Sequence, residues 1–208
     1  MYVPESFRIT DEGEIEAFMR AHAFVTLVSS TPEGLLSTHV PVTVKREAAG
    51  LVIRGHVARA NSHWEAMNGL ADSIVIFHGP HHYVSPAWYA DSPAVPTWNY
   101  AVVHAHGRPQ AKQDREFIHG VLADLVQRYE SGRDIPWRLE DLPADYYDRL
   151  ISVIVGFEMQ VVKLEAKFKL GQNRAGEDRA GTMVGLENER SAEAATLAEF
   201  MRSHLKNG

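Results

Sequence analysis

The spacing of apolar side chains along this chain changes period several times, and each change marks an element. Over residues 11–22, Ile15, Phe18, Met19 and His22 recur at i, i+3, i+4 and i+7, the spacing of one helical face. Asp11 with Glu14 forms a capping box at its start. Residues 24–29 are short, apolar and β-branched, so they read as a strand. Thr31, Pro32, Glu33 and Gly34 have turn chemistry, and residues 35–44 follow as a second strand, which predicts a hairpin. Residues 51–56 read as a third strand, a helix starts at the N-cap residue Asn61, and residues 73–77 read as a fourth strand. Residues 78–97, rich in Pro, Gly, His and Tyr, read as a loop before a long strand over 98–108.

The second half reads as helices around one long strand. Phe117, Val121 and Leu125 stack at i, i+4 and i+8 in a helix over 113–131. Residues 133–146 read as a loop, and 145–154 as another helix whose boundary with that loop overlaps. In a long strand over 155–170 the apolar residues switch parity, from Val155, Phe157, Met159 and Val161 to Val162, Leu164, Ala166 and Phe168. Such a switch predicts a bulge or sharp bend, as where a strand turns a barrel corner. Residues 174–190, rich in Gly and charge, read as a surface loop with at most a helical turn, and 191–205 as a terminal helix burying Leu197, Phe200 and Met201. The order of elements fits one α+β domain over 1–208, built on an antiparallel barrel with flanking helices and a C-terminal helical extension.

Composition narrows the chemistry. Hydrophobic residues make up 45% of the 208 and charged residues 23%, which permits a sizeable core. The net charge of -6 gives no global attraction for nucleic acid, although a local basic patch would escape that count. The chain has no cysteine, so disulfides, thiolate catalysis and cysteine-ligated metals are excluded. The start, Met1-Tyr2-Val3-Pro4-Glu5, is not a signal peptide, and the apolar runs fall well short of the roughly 20 residues of a membrane helix. A soluble cytoplasmic protein is expected.

Several constellations have chemical potential, each beside a plainer reading. Arg59, Asn61 and Ser62 stand at a strand-to-helix junction, where free N–H groups attract phosphate; the alternative is a capped helix with an exposed arginine. Lys167 and Lys169 share a strand face, followed by Gln172, Asn173 and Arg174, a donor cluster suited to phosphate or a flavin carbonyl; the alternative is a solvated basic strand end. His104 and His106 share a face but lie in no established metal spacing, so they read as barrel-wall residues and no metal is expected. Tyr83, Trp88, Tyr89, Trp98 and Tyr100 would stack on a planar ligand or form a dimer core, and sequence does not separate the two. No nucleophile elbow, dinucleotide fingerprint or P-loop is present.

Taken in order, these segments resemble the PaiB-type FMN-binding negative transcriptional regulators. The resemblance runs from Met1-Tyr2-Val3-Pro4 through Thr38-His39-Val40-Pro41, Gly55 to Asn61, Gly79-Pro80, Tyr83-Val84-Ser85-Pro86 and Trp88-Tyr89. Val95 to Tyr100, Lys167-Phe168-Lys169-Leu170 and Gln172-Asn173 complete it. It implies a split barrel related to the pyridoxamine-phosphate-oxidase superfamily, and a homodimer with flavin mononucleotide (FMN) near the subunit interface. On that resemblance Arg59, Asn61 and Ser62 would meet the phosphate, with Lys167, Gln172 and Asn173 nearby and His39 and Trp98 as further contacts. Family members often carry Ser where this chain has Gly171.

Three functions compete. As a regulator, the chain lacks a helix-turn-helix pattern and a basic stripe, so DNA contact has no support in charge or motif. As an FMN-dependent oxidoreductase using a nicotinamide donor, it would orient a flavin that does the redox chemistry, with no identifiable acid or base of its own. Haem binding through the histidines ranks below both.

Overall fold

The computed structural model of the chain describes residues 1–90 and 92–205. Among them lie seven strands: β1 (Phe24–Thr31), β2 (Gly34–Glu47), β3 (Gly50–Ala58), β4 (Ser73–Val84), β5 (Thr97–Gly107), β6 (Gln110–Lys112) and β7 (Ile154–Lys169). The helices are α1 (Glu12–Ala21), α2 (Arg115–Glu130), α3 (Ala144–Ser152), α4 (Gly176–Asn188) and α5 (Ala192–Leu205). Strand neighbours run β3-β2-β1-β4-β5-β7-β6, and β3 also pairs with β7, so the ladder returns to its first strand. The β1–β2, β1–β4, β2–β3, β3–β7 and β6–β7 ladders are antiparallel. The α+β class and antiparallel sheet expected from the sequence are therefore present.

The chain divides into two compact units. One contains Met1–Phe18, His78–Val103 and Glu165–Gly208; the other contains Met19–Phe77 and His104–Leu164. β4, β5 and β7 each continue from one into the other.

In the larger unit the β1–β2 hairpin closes at Thr31 opposite Gly34. Val25 and Leu27 of β1 share one parity and are buried, as are Val42 and Val44 of β2. Ile53 lies opposite Met159 and Val57 opposite Val155 across the β3–β7 ladder, and all four are buried. The backbone of β7 passes so near α2 that a Cβ at Gly156 would stand 2.9 Å from the Phe117 ring.

The smaller unit is organised by aromatic contacts. Phe18 of α1 meets Phe168 of β7 at 4.8 Å between ring centroids, and Phe168 meets Phe200 of α5 edge-on at 5.2 Å. Leu170, Leu186, Leu197 and Met201 complete this core with no exposed surface.

Three expectations from sequence are corrected. The element after Asn61 is a single 3-10 turn, Ser62–Ala66, rather than a longer helix. Residues 78–84 are not loop but the second half of β4; a Cβ at Gly79 would stand 2.6 Å from the Phe18 ring, so this glycine lets the strand run against α1. Residues 176–188 are not loop but α4. Its glycines suggested a loop because glycine is a poor helix former, yet Gly181 and Gly185 are where the helix meets Trp88. The parity switch in the last strand is real: Val155, Phe157 and Met159 are buried early in β7, Ala166 and Phe168 late, and nothing between is buried.

Candidate functional site

The junction between β3 and the 3-10 turn is built by Arg59. Its Nε donates to the Ser152 carbonyl at 2.9 Å, Nη1 to Gln113 Oε1 at 2.8 Å and Nη2 to the Ile154 carbonyl at 3.2 Å. The Arg59 N–H donates to the Val153 carbonyl, and its own carbonyl accepts from Trp64 Nε1. A guanidinium has five N–H groups, so two remain for an outside acceptor. Arg59 and Ser62 are both exposed. Asn61 caps the turn by accepting from the His63 N–H at 3.0 Å.

Behind this surface runs a hydrogen-bonded chain. Asn61 Nδ2 donates to Thr38 Oγ1 at 3.1 Å, and Thr38 Oγ1 lies 2.8 Å from His63 Nδ1. His63 Nε2 lies 2.8 Å from Ser29 Oγ, which lies 2.7 Å from Ser73 Oγ. Ser73 donates to the Ala71 carbonyl. His63, Ser29 and Ser73 are buried, and burial lowers the His63 pKa below the ordinary 6.5. His39, by contrast, faces out from β2, with Thr26 Oγ1 at 3.1 Å from its Nδ1 and the Phe24 ring stacked on it.

In the smaller unit Lys167 is buried, its Nζ 5.2 Å from the Tyr100 ring centroid and 5.6 Å from that of Tyr2, and it donates to the Tyr2 carbonyl. Lys169 donates to Thr97 Oγ1 and, at 2.8 Å, to the Trp98 carbonyl. Burial, then the charges of Lys167 and Arg174, lowers the Lys169 pKa. Trp98 is half exposed, with the rings of His81, His82 and Tyr83 about it at 6.3–6.4 Å. The Gln172 amide is occupied locally: it donates to the Phe168 carbonyl and accepts from the Leu170 N–H. Asn173 is exposed. Gly171 has φ +84°, a conformation that side-chain-bearing residues rarely adopt, which accounts for glycine at this position.

Of the residues singled out from sequence, Arg59, Asn61 and Ser62 fall in one continuous turn with His39 in the same unit, and Trp98, Lys167, Gln172 and Asn173 fall in the other unit. Sequence reading missed Ser29, Thr38, His63 and Ser73. A signal existed for Ser29, which shares the inward parity of Val25 and Leu27.

The model of the family described as "Putative FMN-binding domain" matches residues 1–163. The chain belongs to this FMN-binding-domain family. A relative in Bacillus subtilis, "Protease synthase and sporulation protein PAI 2", is 33% identical over 206 residues, which cover 99% of each chain. Family membership therefore holds over nearly the whole length. Among solved structures, the flavocytochrome Anf3 from Azotobacter vinelandii superposes with a TM-score of 0.62 at 16% identity, covering 86% of this chain and 78% of that one. The FAD and heme binding protein from Mycobacterium smegmatis gives 0.57 at 13%, covering 83% and 78%. These likenesses give the fold, a split barrel. As a member of the FMN-binding-domain family the chain is a flavin-binding split-barrel protein. Its donor set fits such a ligand: spare guanidinium N–H groups and an exposed hydroxyl on one turn suit a phosphate. The fit comes from side chains, since a single 3-10 turn carries little helix dipole. Among the described residues no helix is long and apolar enough to cross a membrane.

Proposed function

We propose that the flavin this chain binds is FMN, and that it does so as a homodimer, with Arg59, Asn61 and Ser62 receiving the phosphate. The observation that carries the reading is the Arg59 guanidinium, fixed by three protein acceptors with two N–H groups to spare, three residues before the exposed Ser62 hydroxyl. A pre-fixed arginine loses less side-chain entropy when it binds an oxyanion than a free one does. Lys167, Gln172 and Asn173, with His39 and Trp98, are the further contacts proposed. Bound FMN would supply redox chemistry; the chain's own part is to hold and orient it.

A regulatory role rests on the family resemblance, and direct DNA contact would have to overcome a net charge of -6. An absorbance and fluorescence titration with FMN, run beside a sizing column, tests the central reading. Saturable binding by a dimer supports it. Failure of FMN to bind while FAD saturates would replace FMN by the larger flavin.

A further inference from the structure

The buried chain behind Asn61 has a direction, fixed by counting protons. Ser73 gives its single hydroxyl proton to the Ala71 carbonyl, so its oxygen accepts from Ser29. Ser29 has then spent its proton, so His63 Nε2 must be the donor to Ser29 Oγ. Thr38 accepts from Asn61 Nδ2 and gives its proton to His63 Nδ1. Every donor finds an acceptor in one arrangement only: neutral His63 carrying its proton on Nε2. The same ring is tied to the surface turn, because the His63 N–H donates to Asn61 Oδ1.

We infer that His63 is a positioning residue for the flavin phosphate: its neutral, Nε2-protonated imidazole holds the Asn61–Ser62 turn in its binding geometry, and protonation loosens it. This rests on the proposed role of Asn61 and Ser62. A proton on Nδ1 faces Thr38 Oγ1, which already accepts from Asn61; the Thr38 proton then loses its acceptor inside the protein. A part-buried donor left without an acceptor is costly, and the relief open to it is for the Asn61 amide to turn so that Oδ1 accepts from Thr38, which gives up the cap on the His63 N–H. Among the described residues no charged group is hydrogen-bonded or ion-paired to this ring. β1 presents Ser29 to it, β2 Thr38, β4 Ser73 and the turn itself Asn61. Glu65 on the turn and Asp72 before β4 are exposed, and Asp72 is paired with Arg108. Burial alone lowers the His63 pKa, in keeping with a ring held neutral.

The test measures FMN affinity between pH 5.5 and 7.5 for the wild type, His63→Gln and His63→Ala. It adds nitrogen-15 NMR of the imidazole in the flavin-free wild type. A glutamine amide also offers a donor end and an acceptor end, but it does not titrate. The FMN phosphate itself titrates near pH 6 (about 6 for a second phosphate pKa), so His63→Gln serves as the baseline. The expected result is wild-type affinity for His63→Gln at pH 7.5 and about tenfold loss for His63→Ala. On acidification to pH 5.5 the wild type loses more affinity than His63→Gln, by less than about tenfold because burial lowers the His63 pKa below 6.5. The imidazole should carry its proton on Nε2 at neutral pH. If His63→Gln follows the wild type at every pH, or the ring is protonated on Nδ1 at neutral pH, the inference is overturned while the flavin reading stands. Absence of any wild-type binding at pH 7.5 overturns both, whatever the ring's tautomer.

Discussion

Gly185 lies flat against the indole of Trp88, so closely that a methyl group on its Cα would stand 2.3 Å from Trp88 Cδ2. One turn earlier, a Cβ at Gly181 would stand 2.1 Å from the Trp88 carbonyl oxygen. The two glycines, four residues apart, form a bare stripe on α4 into which the 3-10 turn Pro86–Trp88 sits. The Ala90 N–H pins the following residues by donating to buried Asp178 at 2.9 Å. In open helix, Gly→Ala is stabilising; here overpacking reverses the sign. Gly181→Ala and Gly185→Ala should each lower stability by about 1–3 kcal/mol. Gly176→Ala, whose Cβ meets nothing within 4 Å, should not. Urea denaturation of the three variants checks this.

Thr43 makes the opposite case. Its side chain is buried on β2, and its Oγ1 has no hydrogen-bond partner among the described residues. Replacing that hydroxyl by a methyl removes a desolvation cost without opening a cavity. Thr43→Val should raise stability by about 1 kcal/mol. A drop in the thermal midpoint would mean the hydroxyl has a partner such as a bound water.

Stability should also depend on pH near neutrality. Burial lowers the pKa values of His22, His56 and His63 below the ordinary 6.5. Above pH 6.5 these rings are neutral in both the folded and the unfolded chain, and stability is full. As pH falls below 6.5 the unfolded chain takes up protons first. Stability then declines until each folded-state pKa is passed, and levels off. Urea midpoints at pH 8, 6.5 and 5.5 should fall in that order, and His63→Gln should remove part of the fall.

Arg59 combines two duties that substitution can separate. Lysine at this position keeps the charge but cannot reach three divergent acceptors. Arg59→Lys should therefore cost about 1 kcal/mol of stability and weaken FMN binding, while Arg59→Ala loses more of both. Unchanged FMN affinity in Arg59→Ala would remove this residue from the proposed phosphate contacts.

What could be read in the sequence was whatever a local period records. The β1–β2 hairpin, the face of α1 and the change of buried parity in β7 all follow from spacing, because burial on one face imposes it. β4 beyond Phe77 and the whole of α4 were hidden, since their glycines answer to distant partners, Phe18 and Trp88, which no local window contains. The candidate site divided similarly. Arg59, Asn61 and Ser62 are contiguous and were legible together. The chain behind them draws Ser29, Thr38, His63 and Ser73 from three strands and a turn, and only pairing in the sheet brings those hydroxyls to one imidazole.

The division of the chain into two interleaved units bears on how it comes to be folded. The smaller unit is assembled from three separated stretches, the last of which begins at Glu165. During synthesis its first stretch, ending at Phe18, must wait for Phe168 and Phe200, its aromatic neighbours. Closure over such distances along the chain is entropically slow. The larger unit, complete at Leu164, has all its strand partners earlier. A chain still in synthesis would therefore leave the β4 and β5 residues of the smaller unit uncovered until the stretch that begins at Glu165 has emerged, an interval in which exposed apolar surface favours aggregation.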